Sequence, residues 1–321
     1  MSTINLLAND GIDELGKSML EKEGFVIDTQ RIPQEELSSK LPAYQGIIVR
    51  SATEVRKDLI DQCPGLKVIA RGGVGLDNID VDYAKSRGIA IVNTPSASSE
   101  SVAELVFAHI LMIARFLHQS NRAMPVSGNT EFAKLKKAYS GGIELKGKTL
   151  GIIGFGRIGQ ALGRIARGFG MQIIAVDPFI NVAELASRAT DATIQKMTLH
   201  TVPLDDLLTH ADVISLHVPG TGGPLISDDE FKKMKDGVIV VNAARGGAIE
   251  ESALLAALDS GKVFGAGLDV FDNEPTPSAQ ILHHPRISLS PHIGASTHQA
   301  QANIGIELAE KITEVFKGVN V

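Results

Sequence analysis

Three polar residues stand where alternating strands and helices would present chemistry. Arg245 follows the apolar run Val238–Val241, in Asn242-Ala243-Ala244-Arg245-Gly246-Gly247. Glu274 follows Val263–Val270, with Asp269 in that strand's end. His292 follows Ile287–Leu289, in Ser290-Pro291-His292-Ile293-Gly294. Parallel strands deliver their ends to one rim, so the three have the means to meet. Such a trio suits hydride transfer at an alcohol carbon. Imidazole is matched to neutral pH as the base for a hydroxyl proton. A carboxylate on its second nitrogen fixes the tautomer and favours the charged ring. A guanidinium grips a substrate carboxylate at two points. A nicotinamide takes the hydride, so no metal is required. Spacing alone equally allows three unrelated loop residues.

The cofactor for that chemistry has its own signature. Leu150, Ile152 and Ile153 read as a buried strand, followed by glycines at 154, 156 and 159 in the pattern G-x-G-x-x-G. Gly154 permits the tight turn, Gly156 admits a pyrophosphate, and Gly159 lets the new helix pack close on the strand. The helix start supplies free N–H groups and a positive dipole end. Ile158, Ala161, Leu162, Ile165 and Phe169 continue at helical spacing, and Gly168 and Gly170 end the helix. The strand Gln172–Val176 ends at Asp177, 18 residues beyond Gly159. There a carboxylate accepts both ribose hydroxyls and repels a 2′-phosphate, which favours NAD over NADP.

The rest of the chain must position these groups. Its 321 residues suffice for two ordinary domains. A net charge of −6 argues against a nucleic-acid or membrane-surface role, and no apolar run approaches 18 residues. No signal peptide is visible, and the one cysteine, Cys63, excludes an internal disulfide, so a cytoplasmic setting is expected. Cys63 reads as a core residue at the end of an amphipathic helix.

Short strands are predicted at Ile4–Leu7, Phe25–Ile27, Ile47–Val49, Val68–Ala70 and Ile89–Val92, separated by helical stretches. This is an α/β pattern, and it implies parallel sheets covered on both faces. Arg50 and Arg71 sit just past the third and fourth of these strands. A long helix is predicted from Ser99 to Leu117, with Ser101 and Glu104 matching a capping box, although Ser98 or Ser99 also suits the cap. On it, His109 reads as a satisfied or exposed side chain. Residues 119–148 are polar, and Lys134, Lys136 and Lys137 read as a solvated face. Further strands are predicted at Val213–His217, Val238–Val241, Val263–Val270 and Ile287–Leu289. A last helix opens near Ala295, where Ser296 and Gln299 match a second capping box.

These residues together resemble the NAD-dependent D-2-hydroxyacid dehydrogenases, and within them the phosphoglycerate dehydrogenase branch. The resemblance is carried by Val49–Thr53, Arg71–Asp80, Asn93–Pro95, Ala103–Leu105, Gly154–Gly159, Asn242–Gly247, Asp269–Pro275 and Pro291–Thr297. It implies two doubly wound parallel-sheet domains. A Rossmann-like NAD-binding domain over 98–293 is inserted into a discontinuous, flavodoxin-like substrate domain over 1–97 and 294–321, with the active site in the cleft. It implies Arg245, Glu274 and His292 as the catalytic trio. It places cofactor contacts at Gly154, Gly156, Arg157, Ile158, Gly159, Asp177, Ala243, Arg245, Asp269, Gly294 and Ala295. Substrate contacts fall at Arg50, Arg71, Gly72, Gly73 and Val74, where Val74 offers only its backbone. Ser98-Ser99 departs from the family's Asn-Ser pattern.

The branch rests mainly on Arg50 and Arg71, because a substrate with both carboxylate and phosphate needs more positive charge than lactate does. The implied reaction is oxidation of D-3-phosphoglycerate to 3-phosphohydroxypyruvate, the first step of serine biosynthesis. A glycerate, hydroxypyruvate or glyoxylate reductase keeps the chemistry and changes the acid. A corepressor-like NADH sensor keeps the fold and drops turnover. The implied assembly is a homodimer or homotetramer, with Lys134, Lys136 or Lys137 reaching a partner subunit. The chain is expected to lack the regulatory domain of longer relatives, and with it serine feedback.

Overall fold

The computed structural model describes residues 3–188, 194–220 and 222–318. The chain forms two compact units. One runs to Ser99 and resumes at Ala295; the other is Glu100–Gly294.

The first unit holds β1 (Ile4–Ala8), β2 (Phe25–Asp28), β3 (Gly46–Val49), β4 (Val68–Arg71) and β5 (Ala90–Asn93). They lie in the order β2-β1-β3-β4-β5, all parallel, the doubly wound arrangement of flavodoxin-like sheets. Side chains alternate between two buried faces. Leu7, Ile47, Val49 and Ile69 pack one way. Leu6, Ile48, Val68 and Ala70 pack the other way, against Ile304, Leu308 and Ile312 of the helix His298–Phe316. That helix crosses Glu14–Lys22 with no room for side chains at the contact: a Cβ on Gly16 would lie 2.3 Å from the Gly305 carbonyl oxygen. The strand ends align Val49 with Arg71, which brings the loops after β3 and β4 side by side.

The second unit holds β6 (Thr149–Ile153), β7 (Gln172–Val176), β8 (Val182–Arg188), β9 (Ile194–His200), β10 (Val213–Leu216), β11 (Val238–Asn242), β12 (Val263–Leu268) and β13 (Ile287–Leu289). Its parallel sheet runs β13-β12-β11-β10-β6-β7. From β6 the chain winds first toward β7 and later toward β10, so a topological switch point lies between β6 and β10.

Several sequence expectations need correction. The helix that opens at Ser99 ends at Ala114, not Leu117, and Ser101 lies inside it rather than capping it. Phe116 takes a left-handed conformation (φ 52°) and tucks its ring against Phe264 at 5.4 Å. The Ile143 N–H then satisfies the Ala114 carbonyl at 2.8 Å. Two helices, Leu117–Ser127 and Phe132–Ala138, occupy the segment read only as polar. The last helix is capped by Thr297, which accepts from the Ala300 N–H at 3.1 Å, so the Ser296–Gln299 box does not form. β12 stops at Leu268, leaving Asp269 and Val270 in the loop. Cys63 lies beyond the helix Lys57–Asp61, and its side chain is buried. β8 and β9 pair antiparallel, which the sequence did not foretell. No single described helix is long and apolar enough to cross a membrane.

Candidate active site

The glycine turn after β6 shows why each glycine is needed. Gly154 is left-handed at φ 92°, and a Cβ there would sit 2.5 Å from the His217 carbonyl oxygen across the switch point. A Cβ on Gly159 would lie 2.3 Å from the Gly154 carbonyl oxygen. Gly156 differs: nothing lies within 4 Å of where its Cβ would be. It caps the helix Arg157–Gly168 without any side-chain hydrogen bond. The first N–H groups of that helix therefore open onto unfilled space beside a positive dipole end, a cradle that suits a pyrophosphate. Asp177, at the tip of β7, holds this turn by accepting from the Phe155 N–H at 2.8 Å. Its other oxygen accepts from the N–H groups of Phe179 and Ile180 at 2.8 and 3.0 Å. One lone pair on Oδ2 remains for a ribose hydroxyl. These residues fit a dinucleotide.

The ends of β11, β12 and β13 converge through backbone contacts. The Asp269 N–H donates to the Asn242 carbonyl at 3.0 Å, and the Ser290 N–H donates to Leu268 at 3.0 Å. Gly246 rests on the Phe271 carbonyl so closely that a Cβ there would lie 1.9 Å from the oxygen. The Gly247 N–H donates to Asp272 Oδ1 at 2.6 Å. The loops carrying Arg245 and Glu274 are thereby fastened together. Asn242 shapes the first of them, donating from Nδ2 to the Arg245 carbonyl at 2.8 Å. Arg245 Nη1 donates to the Ala244 carbonyl at 2.6 Å.

Glu274 and His292 meet directly. His292 Nδ1 lies 2.7 Å from Glu274 Oε2, while Glu274 Oε1 accepts from the Phe271 N–H at 3.0 Å. A carboxylate only accepts, so Nδ1 carries the proton and Nε2 of the neutral ring is a base. The His292 side chain is 46% exposed, which leaves that nitrogen open to a reactant. His292 is itself left-handed (φ 53°). Asp269 pins the turn around it, accepting from the N–H groups of Ile293 and Gly294, both at 2.9 Å. Beside the pair is a cavity of about 440 Å³ whose walls include Phe271, Pro275, Leu282, Leu289 and Pro291.

In the first unit, Arg50 follows β3 and Arg71 closes β4. Arg71 turns back on its own loop: Nε donates to the Arg50 carbonyl at 3.2 Å and Nη1 to the Gly75 carbonyl. The N–H groups of Gly72 and Gly73 are taken by Val49 and Arg71 carbonyls, both at 2.9 Å. The Val74 carbonyl accepts from Asn93. The guanidinium of Arg50 has no hydrogen bond to a described residue. Its loop is held from below by Asp10, which accepts from the Arg50 N–H (2.7 Å), the Thr53 N–H (3.1 Å) and the Thr53 hydroxyl (2.6 Å). Asn78 Nδ2 adds bonds to the carbonyls of Arg50 and Thr53 at 2.8 and 2.6 Å.

Sequence reasoning missed two of these features. Asp10 was legible only as part of an Asn-Asp-Gly turn, although its place at the end of β1 marks it by the strand-end rule. The His217–Pro219 loop, which borders Gly154, belongs to a strand whose end carried no signal beyond its position. Lys134 pairs with Glu131 at 3.0 Å on an exposed helix. Among the described residues no group of three His, Cys, Asp or Glu side chains is placed to hold a metal ion.

Comparison with known proteins adds to this geometry. Residues 107–294 match the family model described as the D-isomer specific 2-hydroxyacid dehydrogenase NAD-binding domain. The chain is 43% identical to a hydroxypyruvate reductase of Thermotoga maritima, over 97% of this chain and 98% of that protein. It is 39% identical to a D-3-phosphoglycerate dehydrogenase of Archaeoglobus fulgidus, over 99% of this chain but only 58% of the relative's length. In three dimensions it superimposes on a glyoxylate reductase from Paecilomyes thermophila with a TM-score of 0.80, at 30% identity, covering 99% and 97% of the two chains.

Proposed function

We propose that this chain, which belongs to the D-isomer specific 2-hydroxyacid dehydrogenases and is NAD-dependent, oxidises D-3-phosphoglycerate to 3-phosphohydroxypyruvate. The observation that carries the choice of acid is Arg50. Its loop is fixed through backbone and carboxylate bonds, and its charged end is left unbonded among the described residues. A guanidinium held in this way suits a second anionic group on the substrate, as a phosphate supplies beside a carboxylate. Arg71 supports that loop rather than competing for the same charge.

The His292–Glu274 contact supports the following roles within the trio. His292 Nε2 takes the hydroxyl proton while Nδ1–H stays on Glu274, whose negative charge favours the imidazolium that forms. Arg245 grips the substrate carboxylate and fixes the reacting carbon. The N–H groups of the helix Arg157–Gly168 and the Asp177 carboxylate hold the dinucleotide. Bound NAD supplies the hydride acceptor. In the reverse direction the same imidazolium returns the proton.

A second reading, reduction of hydroxypyruvate, is favoured by the Thermotoga relative, which matches over nearly its whole length. NADH oxidation measured in parallel with phosphohydroxypyruvate, hydroxypyruvate and glyoxylate separates the two. A kcat/KM preference for the phosphorylated acid, lost in Arg50→Ala, supports the proposal. A preference for an unphosphorylated acid that survives Arg50→Ala overturns it in favour of the second reading.

A further inference from the structure

His109 lies on the helix Ser99–Ala114, buried and remote in sequence from the trio. Gly267 on β12 makes room for it; a Cβ there would be 2.8 Å from the His109 Cβ. Both ring nitrogens are bonded. Nε2 lies 2.9 Å from Ser290 Oγ and Nδ1 lies 2.8 Å from Ser288 Oγ. The Ser290 hydroxyl donates in turn to Asp269 Oδ1 at 2.6 Å.

For a neutral His109 ring the proton positions follow from the partners. Asp269 accepts, so Ser290 spends its only proton on it and must accept from His109 Nε2–H. Nδ1 then lacks a proton and accepts from the Ser288 hydroxyl. The result is a relay, Ser288 to His109, His109 to Ser290 and Ser290 to Asp269, in which Met112 Sδ at 3.9 Å is a second, weaker acceptor for the Ser288 hydroxyl. Asp269 ends the relay by holding the N–H groups of Ile293 and Gly294, the two residues that follow the left-handed His292.

We infer that His109 is a positioning residue, acting through Ser290 and Asp269 to fix the turn that aims His292. The inference rests on the reading of His292 as the acid–base group. A neutral ring is essential to the relay, since protonated Nδ1 would turn a donor toward Ser288. Burial pushes His109 below the ordinary histidine range, against the pull of Asp269, and neighbouring His118 adds to the lowering. Hydrogen bonding inside a sealed site strengthens each link.

The test compares His109→Leu, His109→Gln and Ser290→Ala in the full chain, with His292→Ala as reference. Each is followed by kcat, by the pH dependence of kcat and by Tm. His109→Leu is expected to lower kcat roughly tenfold, since a small misplacement of a reacting group is costly. Its pH–rate limb should move to lower pH as Glu274 and His292 lose registration. Gln donates and accepts at similar reach, so His109→Gln should recover most of the loss. Ser290→Ala should resemble His109→Leu, and it decides the matter alone if the leucine variant does not fold. Wild-type kcat and pH limb in both His109→Leu and Ser290→Ala, whatever their Tm, overturn the inference. So does an equal loss in His109→Gln. Turnover that survives in His292→Ala overturns the acid–base assignment itself, which is a separate failure.

Discussion

The glycine turns after β4 and β6 are alike in sequence and opposite in construction. In Arg71-Gly72-Gly73-Val74-Gly75 the arginine fills its own turn, and the N–H groups of Gly72 and Gly73 already have carbonyl partners. In Gly154-Phe155-Gly156-Arg157 the space over Gly156 is open and the helix start has no side-chain cap. The same contrast holds around them. Loops of the first unit direct Asp10 and Asn78 to backbone partners, with the Arg50 guanidinium left as the exception. Strand ends of the second unit leave His292 exposed at its reactive edge. A glycine-rich loop is thus not a ligand site by composition; what matters is whether the chain has already satisfied it.

The largest expected effect is on the exposed histidine. His292→Ala should reduce kcat by about a hundredfold or more, with Tm close to wild type because little packing is lost. A Tm loss as large as a core variant's would make it a structural residue like those of the first unit. Next come the two glycines of the open turn. Gly156→Ala should fold normally yet bind NADH roughly tenfold more weakly, about 1.4 kcal/mol. Gly154→Ala should instead lower Tm, since its Cβ meets the His217 carbonyl and φ is left-handed. Equal behaviour of the two, in calorimetry and fluorescence titration, would mean that the turn has no open position distinct from its packed one.

Asp10→Ala tests the closed side. It frees three donors of the Arg50 loop and should cost about 2 kcal/mol in denaturant unfolding, while raising KM more than it lowers kcat. The smallest effect concerns His217, whose Nδ1 is sealed with no hydrogen-bond partner among the described residues. Burial lowers its ring from 6.5 to about 4. The unfolded chain therefore binds the extra proton first. Stability from this residue is complete above pH 6.5 and is lost as pH falls toward 4. His217→Asn should flatten that part of a Tm-against-pH curve.

How far the sequence reached follows the same division. Strands were legible because their residues are buried on both faces, as in Gly46–Val49 and Val238–Asn242. The glycine motif was legible because Gly154 and Gly159 answer local backbone demands, while Gly156 leaves open space over the turn. Helix ends were not: Phe116 breaks its helix for the sake of distant Phe264, and Thr297 displaces Ser296 as cap by one residue. The meeting of Glu274 with His292 had the right residue types but no local signal, since 18 residues separate them. His109 read as either satisfied or exposed; it is satisfied, by partners 179 and 181 residues away. Convergence is a property of strand order, which periodicity does not contain.

Cys63 offers a last, practical consequence. It sits in the core of the first unit, and burial pushes its thiol up to about 11. At neutral pH it is neither ionised nor reachable, so alkylating reagents should ignore the native protein. Any labelling then records the moments when that unit opens, and no other cysteine blurs the record. The molecule carries its own clock for breathing of one half, readable by mass spectrometry without a single mutation.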